Sequence, residues 1–321
     1  MMSTDRRFLT LDERAAYLVD RGYVNEHSLS DHAREFIART NFHYFLGYAR
    51  NFRKLRREGL VQGDDRIDRV IRMVEIDHSV STRLFAAIRD VEWRLRAALV
   101  EAHCSLFPDR ACFLEASHFQ VMNASATPVH VILRDQISRS REPFVLGAFE
   151  KHAHNIGRKW TENPTCLTDD ERLSAMQTLP IWSTVDGWTL GLLERVITET
   201  APVVDDGARW LWKDVARGFE VSNQVFQTQL TSLIVLRNLV AHHSRLWMRP
   251  SAASPKRPKP FEKLLRDSDS KSMYVAWLTL AQFLRAGGGD QALISDLDAL
   301  ISLDELYEIG VKRPLRSAAL G

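Results

Sequence analysis

The sequence predicts an all-α protein, a helical bundle with an N-terminal helical extension. Two observations predict it. Apolar residues recur at the i, i+3, i+4, i+7 spacing of an amphipathic helix over several long stretches. Alternating Val-, Ile- and Thr-rich runs bounded by turn pairs, which would mark strands, are missing. The 321 residues are 45% apolar and 26% charged. That is the composition of an ordinary globular chain, long enough for a substantial core and too apolar to be mainly disordered.

Taken in order, residues 1–63 read as an N-terminal helical region, set off by Gly63-Asp64-Asp65, and residues 64–321 as the main helical domain. Over Arg66–Leu106, Ile67, Val70, Ile71 and Val74, then Leu84, Ala87, Ile88, Val91, Leu95, Ala98 and Leu99 fall on one helix face, with a break expected near Ser79–Ser81. Leu106–Pro128 reads as short turns. Pro180–Glu199 repeats the helical pattern through Trp182, Val185, Trp188, Leu192, Leu193 and Val196. Val221–Trp247 is the longest clean pattern, with Ser222 placed as an N-cap and a helix expected over 222–248. Pro250–Pro260, PSAASPKRPKP, is too proline-rich for a helix and reads as an exposed, partly extended basic loop. Tyr274–Leu284 and Leu293–Leu303 read as shorter helices around a flexible break at Gly287–Gly289.

Several functional classes drop out. Charge interrupts every apolar stretch well before the roughly 18 residues of a membrane span. The start, MMSTDRRFLTLDERAAYL, has no apolar core of secretory length, so a cytoplasmic protein is expected. A net charge of +2 neither demands nor excludes a nucleic-acid partner. Cys104, Cys112 and Cys166 form no CxxC, which argues against a disulfide scaffold or a zinc site. His152 and His154 lie two apart on a helix and point away from each other, so they cannot share an ion. No metal or cofactor is implied.

The chemistry concentrates in Ser232–Trp247. On a wheel of 100° per residue centred on Asn238, His242 falls near about 40°, Arg245 near about 340° and Arg249 near about 20°. These four form a polar stripe opposite an apolar arc of Leu233, Leu236, Leu239, Val240, Leu246 and Trp247. His243 falls inside that arc and is expected to be buried and hydrogen-bonded. Arg237 lies roughly 140° from His242, so one helix does not readily aim both at a small target, whereas two copies facing each other across a dimer axis could. Arg supplies a permanent charge and a planar fork suited to phosphate. His titrates near neutrality and moves protons. Asn orients or donates. No carboxylate cluster accompanies them. The set suits RNA cleavage by its own 2′-hydroxyl, with His handling the proton and Arg stabilising charge on the phosphate.

Arg237-Asn238-Leu239-Val240-Ala241-His242 resembles the Arg-Asn-x-x-x-His signature of HEPN ribonuclease domains. The longer string Leu236–Trp247 resembles the Abi-like family of bacterial abortive-infection proteins. So do Thr40–Tyr48, Glu92-Trp93-Arg94-Leu95-Arg96 and Leu179-Pro180-Ile181-Trp182, in the family's order over roughly residues 10 to 285. The resemblance implies an all-helical fold of HEPN type, a homodimer, and a metal-independent endoribonuclease acting in phage defence by growth arrest. In some members a structured RNA antitoxin restrains the toxin. Carried onto this chain, Arg237 and His242 would be catalytic and Asn238 supporting. Two positions depart from the family's usual residues: Tyr44 stands for an Arg and Met248 for an Asn.

Candidate RNA contacts are Arg245, Arg249, the loop residues Lys256 and Arg257, and Arg53 and Arg57 in the basic run Arg50–Arg57 behind Tyr44 and Tyr48. For Arg245 an internal ion pair competes with a phosphate contact. For the basic run and the loop, a merely solvated surface competes. The functional rival to a ribonuclease is a non-catalytic module that binds structured RNA or senses a phage component.

Overall fold

In the computed structural model, residues 8–24, 28–64, 66–108, 111–204, 207–286 and 288–314 are described. Met1–Arg7 therefore lie outside the described residues, as do Asp65 and Gly287 of the expected breaks. The helices run α1 Leu11–Asp20, α2 Asp31–Arg39, α3 Phe42–Arg57, α4 Ile67–Leu106, α5 Val129–Ser138, α6 Pro143–Asn155, α7 Asp169–Met176, α8 Leu190–Glu199, α9 Leu211–Gly218, α10 Phe226–Ala241, α11 Met273–Arg285, α12 Leu293–Ile301 and α13 Glu305–Lys312. The only sheet among the described residues is a two-residue antiparallel hairpin, β1 Val203–Val204 with β2 Ala208–Arg209. The fold is all-α, as the periodicity predicts. No helix of the described residues is long and apolar enough to cross a membrane.

The chain divides into two compact units. One comprises 1–88, 235–282 and 290–321; the other comprises 89–234 and 283–289. The divisions fall inside α4 and α10. The first unit thus holds α1 to α3, the beginning of α4, the end of α10, most of α11, and α12 and α13.

Local rules place the helix starts. Thr10 with Glu13 and Thr168 with Glu171 form capping boxes ahead of α1 and α7. Ser30, Asn41 and Thr189 each accept a main-chain N–H at the head of α2, α3 and α8.

Three helices differ from their sequence patterns. α4 does not break at Ser79–Ser81; it runs unbroken for 40 residues. Ser79 Oγ donates to Glu75 O and Thr82 Oγ1 to His78 O, both at 3.0 Å, so hydroxyls that could compete with the helix bond back into it. Val80 keeps the apolar stripe continuous across the same turn. Pro180–Glu199 is helical only from Leu190. Before it lie two single-turn 3-10 segments, Ile181–Ser183 and Val185–Gly187, and Thr189 starts the α-helix afresh. α10 is shorter than 222–248 at both ends. Ser222 O accepts from Val225 and Phe226 in a turn that precedes the helix, and Ala241 is the last helical residue.

Candidate functional site

The end of α10 is set by its hydrogen bonds. Ser244 N–H donates to Leu239 O (2.8 Å) and His243 N–H to Val240 O (3.1 Å), with His243 at φ +51°. This is a Schellman closure, in which the residue after the cap turns left-handed and the orphan carbonyls are capped from beyond the helix. His243 fills the place glycine usually takes. Its side chain is exposed, not buried as the wheel suggested, because the helix ends before the wheel can be extended to it.

The same stop removes the helical stripe expected for Asn238, His242, Arg245 and Arg249. Asn238 and His242 remain together on the surface at the last turn, where His242 N–H donates to Asn238 O (3.0 Å). Arg237 is half-buried, and its guanidinium Nη1 donates to the Asn238 side-chain oxygen (3.3 Å). Asn238 therefore links to Arg237 through its side chain and to His242 through its main chain. Arg249 is exposed and, with Lys271, rims a small pocket of about 260 Å³ whose wall includes Val235 and Leu239 of α10.

Arg245 has turned inward. It donates to Gly47 O of α3, and its guanidinium lies 5.8 Å from the centre of the Tyr48 ring. Burial pulls its pKa down, while Tyr48 and Asp77 act to hold its charge. Of the two readings open for Arg245, an internal partner is what it has. A Cβ at Gly47 would meet this guanidinium at 3.4 Å, so the missing side chain there makes room for it.

Beneath the motif sits a carboxylate that sequence reasoning passed over. Asp77 of α4 is 1% exposed. It accepts the main-chain N–H of Leu246 (2.9 Å) and of Trp247 (3.2 Å), and the hydroxyls of Tyr48 and Tyr307. Burial raises its pKa against the pull of those four donors. Burial and the nearby carboxylate push both phenols well above their ordinary value, so they remain donors. Trp247 stacks on Tyr48, centroids 6.0 Å apart and planes 8° from parallel, and its indole donates to Leu306 O (2.9 Å). Tyr44 joins through its hydroxyl, 3.0 Å from that of Tyr48. The signal was legible: an acid on the apolar stripe of an amphipathic helix, seven residues after Val70 and seven before Leu84, must find buried donors.

The remaining candidates are placed as follows. Arg53 donates to Arg21 O (2.8 Å) and lies over the Tyr23 ring at 4.0 Å, so it ties α3 to the end of α1. Arg57 and Lys256 are exposed. Arg257 donates to Ser268 O (2.8 Å). The basic loop is exposed at most positions, Lys256, Arg257 and Lys259 among them, and is anchored by the buried Ser251, Pro255 and Pro258.

Thr40–Tyr48 and Leu236–Trp247 thus meet directly, Gly47 against Arg245 and Tyr48 against Trp247. In the second unit, Arg96 donates to Val185 O (3.3 Å) and Trp188 O (3.0 Å), just beyond Leu179–Trp182, and Arg94 donates to Phe283 O and Leu284 O near the end of α11. A family model described as Abi-like protein matches residues 35–248, about two thirds of the chain. The chain belongs to the Abi-like protein family. Membership suggests a part in phage defence by abortive infection. Neither a curated protein nor a solved structure gives a significant match. In this Abi-like protein the matched region ends at Met248, next to the Asp77-anchored Leu246 and Trp247, and Met248 N–H donates to Gly310 O (3.2 Å).

Proposed function

We propose that this Abi-like protein is an endoribonuclease of HEPN type acting in abortive infection, with Arg237, Asn238 and His242 as its working residues. The observation that carries the reading is their placement. Arg237 and Asn238 sit on the last turn of α10 and His242 follows directly after it; Arg237 donates to the Asn238 side chain, and the chain beyond is held by Asp77 through the main-chain N–H groups of Leu246 and Trp247. A site held on a rigid helix end positions its groups better than a loop could.

The 2′-hydroxyl of the RNA attacks the adjacent phosphorus and the bond to the 5′-oxygen breaks. His242 moves the proton, accepting it from the 2′-hydroxyl or giving it to the leaving oxygen. Arg237 stabilises the charge that develops on the phosphate oxygens. Asn238 orients both. The products are a 2′,3′-cyclic phosphate and a 5′-hydroxyl end, and no step draws on a metal. Arg249, with Lys271 across the pocket, supplies phosphate contacts next to α10, and Lys256 and Arg57 extend the basic surface. In a homodimer two such helix ends face each other, and a structured RNA antitoxin would compete for the same surface.

The test is cleavage of a mixed RNA pool in EDTA by wild type and His242→Ala, with folding matched by circular dichroism and bound RNA stripped. Cyclic-phosphate ends from wild type alone support the reading. Intact RNA, bound equally by both proteins, replaces it with a non-catalytic RNA-binding module.

A further inference from the structure

The second unit contains a cluster that the proposed ribonuclease chemistry does not use. His103 lies in the last turn of α4, Cys112 opens a 3-10 turn (Cys112–Leu114), and His118 closes the next one (Ala116–His118). Both imidazoles are buried and the thiol is half-buried. One ligand atom from each of the three side chains lies within 4.8 Å of the others. We propose that His103, Cys112 and His118 form a site for a zinc-class divalent ion, placed there to hold the fold together.

Geometry carries the proposal. His103 Nε2 and Cys112 Sγ are 3.7 Å apart. A tetrahedral ion with Zn–S of about 2.3 Å and Zn–N of about 2.0–2.1 Å sets an N···S edge of roughly 3.6 Å. The two atoms thus already stand at the separation that a shared ion requires. His118 Nε2 is buried and meets no hydrogen-bond partner among the described residues. Such an atom inside a protein calls for an explanation, and coordination to an ion is one.

The surroundings fit a metal site. Phe107 and Phe113 pack against His103, and Phe107 and Phe119 against His118, with centroids 4.5–6.1 Å apart. An apolar shell around a few convergent donors excludes water from all but the ion's own position. Two imidazoles and a thiolate suit zinc rather than magnesium or calcium, which take oxygen ligands. Three protein ligands are one fewer than the four that close most structural zinc sites, so water takes the fourth position here.

The ion's consequence is mechanical. The Ala116–His118 turn is already stitched to the end of α8: Ala201 N–H donates to His118 O (2.9 Å), Gln120 N–H donates to Glu199 O (2.8 Å), and Phe119 bridges Thr200. A metal bond from His118 to His103 fastens the end of the 40-residue α4 to that same seam. The ligands are nine and six residues apart in sequence. No spacing motif announces them, and only the turns after α4 bring them together.

The experiment uses the full-length, tag-free, chelator-treated protein and titrates it with Co²⁺ alone. One equivalent should bind with a thiolate-to-cobalt charge-transfer band and ligand-field bands of four-coordinate intensity, and one equivalent of Zn²⁺ should displace it. Cys112→Ser should abolish the charge-transfer band, His118→Asn should weaken binding at least about tenfold, and Cys104→Ser, one residue from His103, should change neither. Wild-type protein with no thiolate band, or a band that survives Cys112→Ser, overturns the proposal. The wild-type titration stands even if a ligand variant fails to fold. It is independent of RNA cleavage, so either idea can fail without the other.

Discussion

Gly310 of α13 lies so close to Trp247 that a Cβ at position 310 would fall on the indole nitrogen. That nitrogen donates to Leu306 O one turn earlier on the same helix, and Gly310 O accepts from Met248 N–H (3.2 Å). The indole is thus pressed against a bare stretch of helix backbone. Gly310→Ala forces the ring or the helix to move, at a cost on the order of 2–3 kcal/mol for an overpacked core. Chemical denaturation should show that loss. An unchanged midpoint would mean that the ring and α13 can part freely.

Asp77 extends the same anchor. Asp77→Asn turns two of its acceptor positions into donors facing Leu246 N–H, Trp247 N–H and two tyrosine hydroxyls. The expected cost is about 2–4 kcal/mol, the range for leaving buried polar partners unmatched. The pH dependence has a definite sign. Burial holds the Asp77 pKa above the ordinary 3.8 in the folded protein. Below 3.8 its contribution is complete. It declines as pH rises from there to the folded value, because the unfolded chain releases the proton first. The stability gap between wild type and Asp77→Asn should therefore be widest in acid and narrow toward neutrality. A gap that widens with pH would show that the four donors outweigh burial.

Helix periodicity was enough to read the all-α class, because amphipathic faces leave the same mark wherever they occur. It also placed α11 and α12 to within two residues. What it could not show was where a periodic stretch stops for non-periodic reasons. α10 ends at Ala241 through hydrogen bonds from His243 and Ser244, and a wheel drawn through Arg249 has no access to them. The Arg237, Asn238, His242 group was legible as a motif. The anchor behind it was not, since Asp77, Tyr48, Tyr307 and Trp247 come from four separate parts of the chain. Asp77 alone left a trace, as an acid on an apolar stripe. His103, Cys112 and His118 left none.

Arg245 separates scaffold from chemistry. Its guanidinium is committed to Gly47 O and the Tyr48 ring. Arg245→Ala should lower stability by about 1.5–3 kcal/mol, the worth of a charged hydrogen bond. The salt dependence of RNA binding should not change, since no phosphate contact is lost. Arg249→Ala should do the reverse, leaving stability alone while lowering RNA affinity and flattening its salt slope by about one contact. Unfolding curves and binding isotherms at several salt concentrations measure both. If Arg245→Ala flattens the salt slope at unchanged stability, its inward placement is not the one RNA meets.

The adjacent histidines can be told apart by what each does for the helix end. His243 holds φ +51°, which costs a side-chain-bearing residue on the order of 1 kcal/mol and glycine almost nothing. His243→Gly keeps both closing bonds, Ser244 N–H to Leu239 O and His243 N–H to Val240 O, because both are main-chain bonds. It should raise stability by about 0.5–1 kcal/mol, with RNA cleavage in EDTA unchanged. His242→Ala removes an exposed side chain on the final turn, so stability should hold within about 0.5 kcal/mol while cleavage falls by 10²-fold or more, roughly the worth of a positioned general acid or base. The two variants differ by one position and make different predictions on each readout. Cleavage lost in His243→Gly and kept in His242→Ala would move the proton-transfer role to the left-handed residue. It would also give a reason for keeping a histidine where the backbone favours glycine.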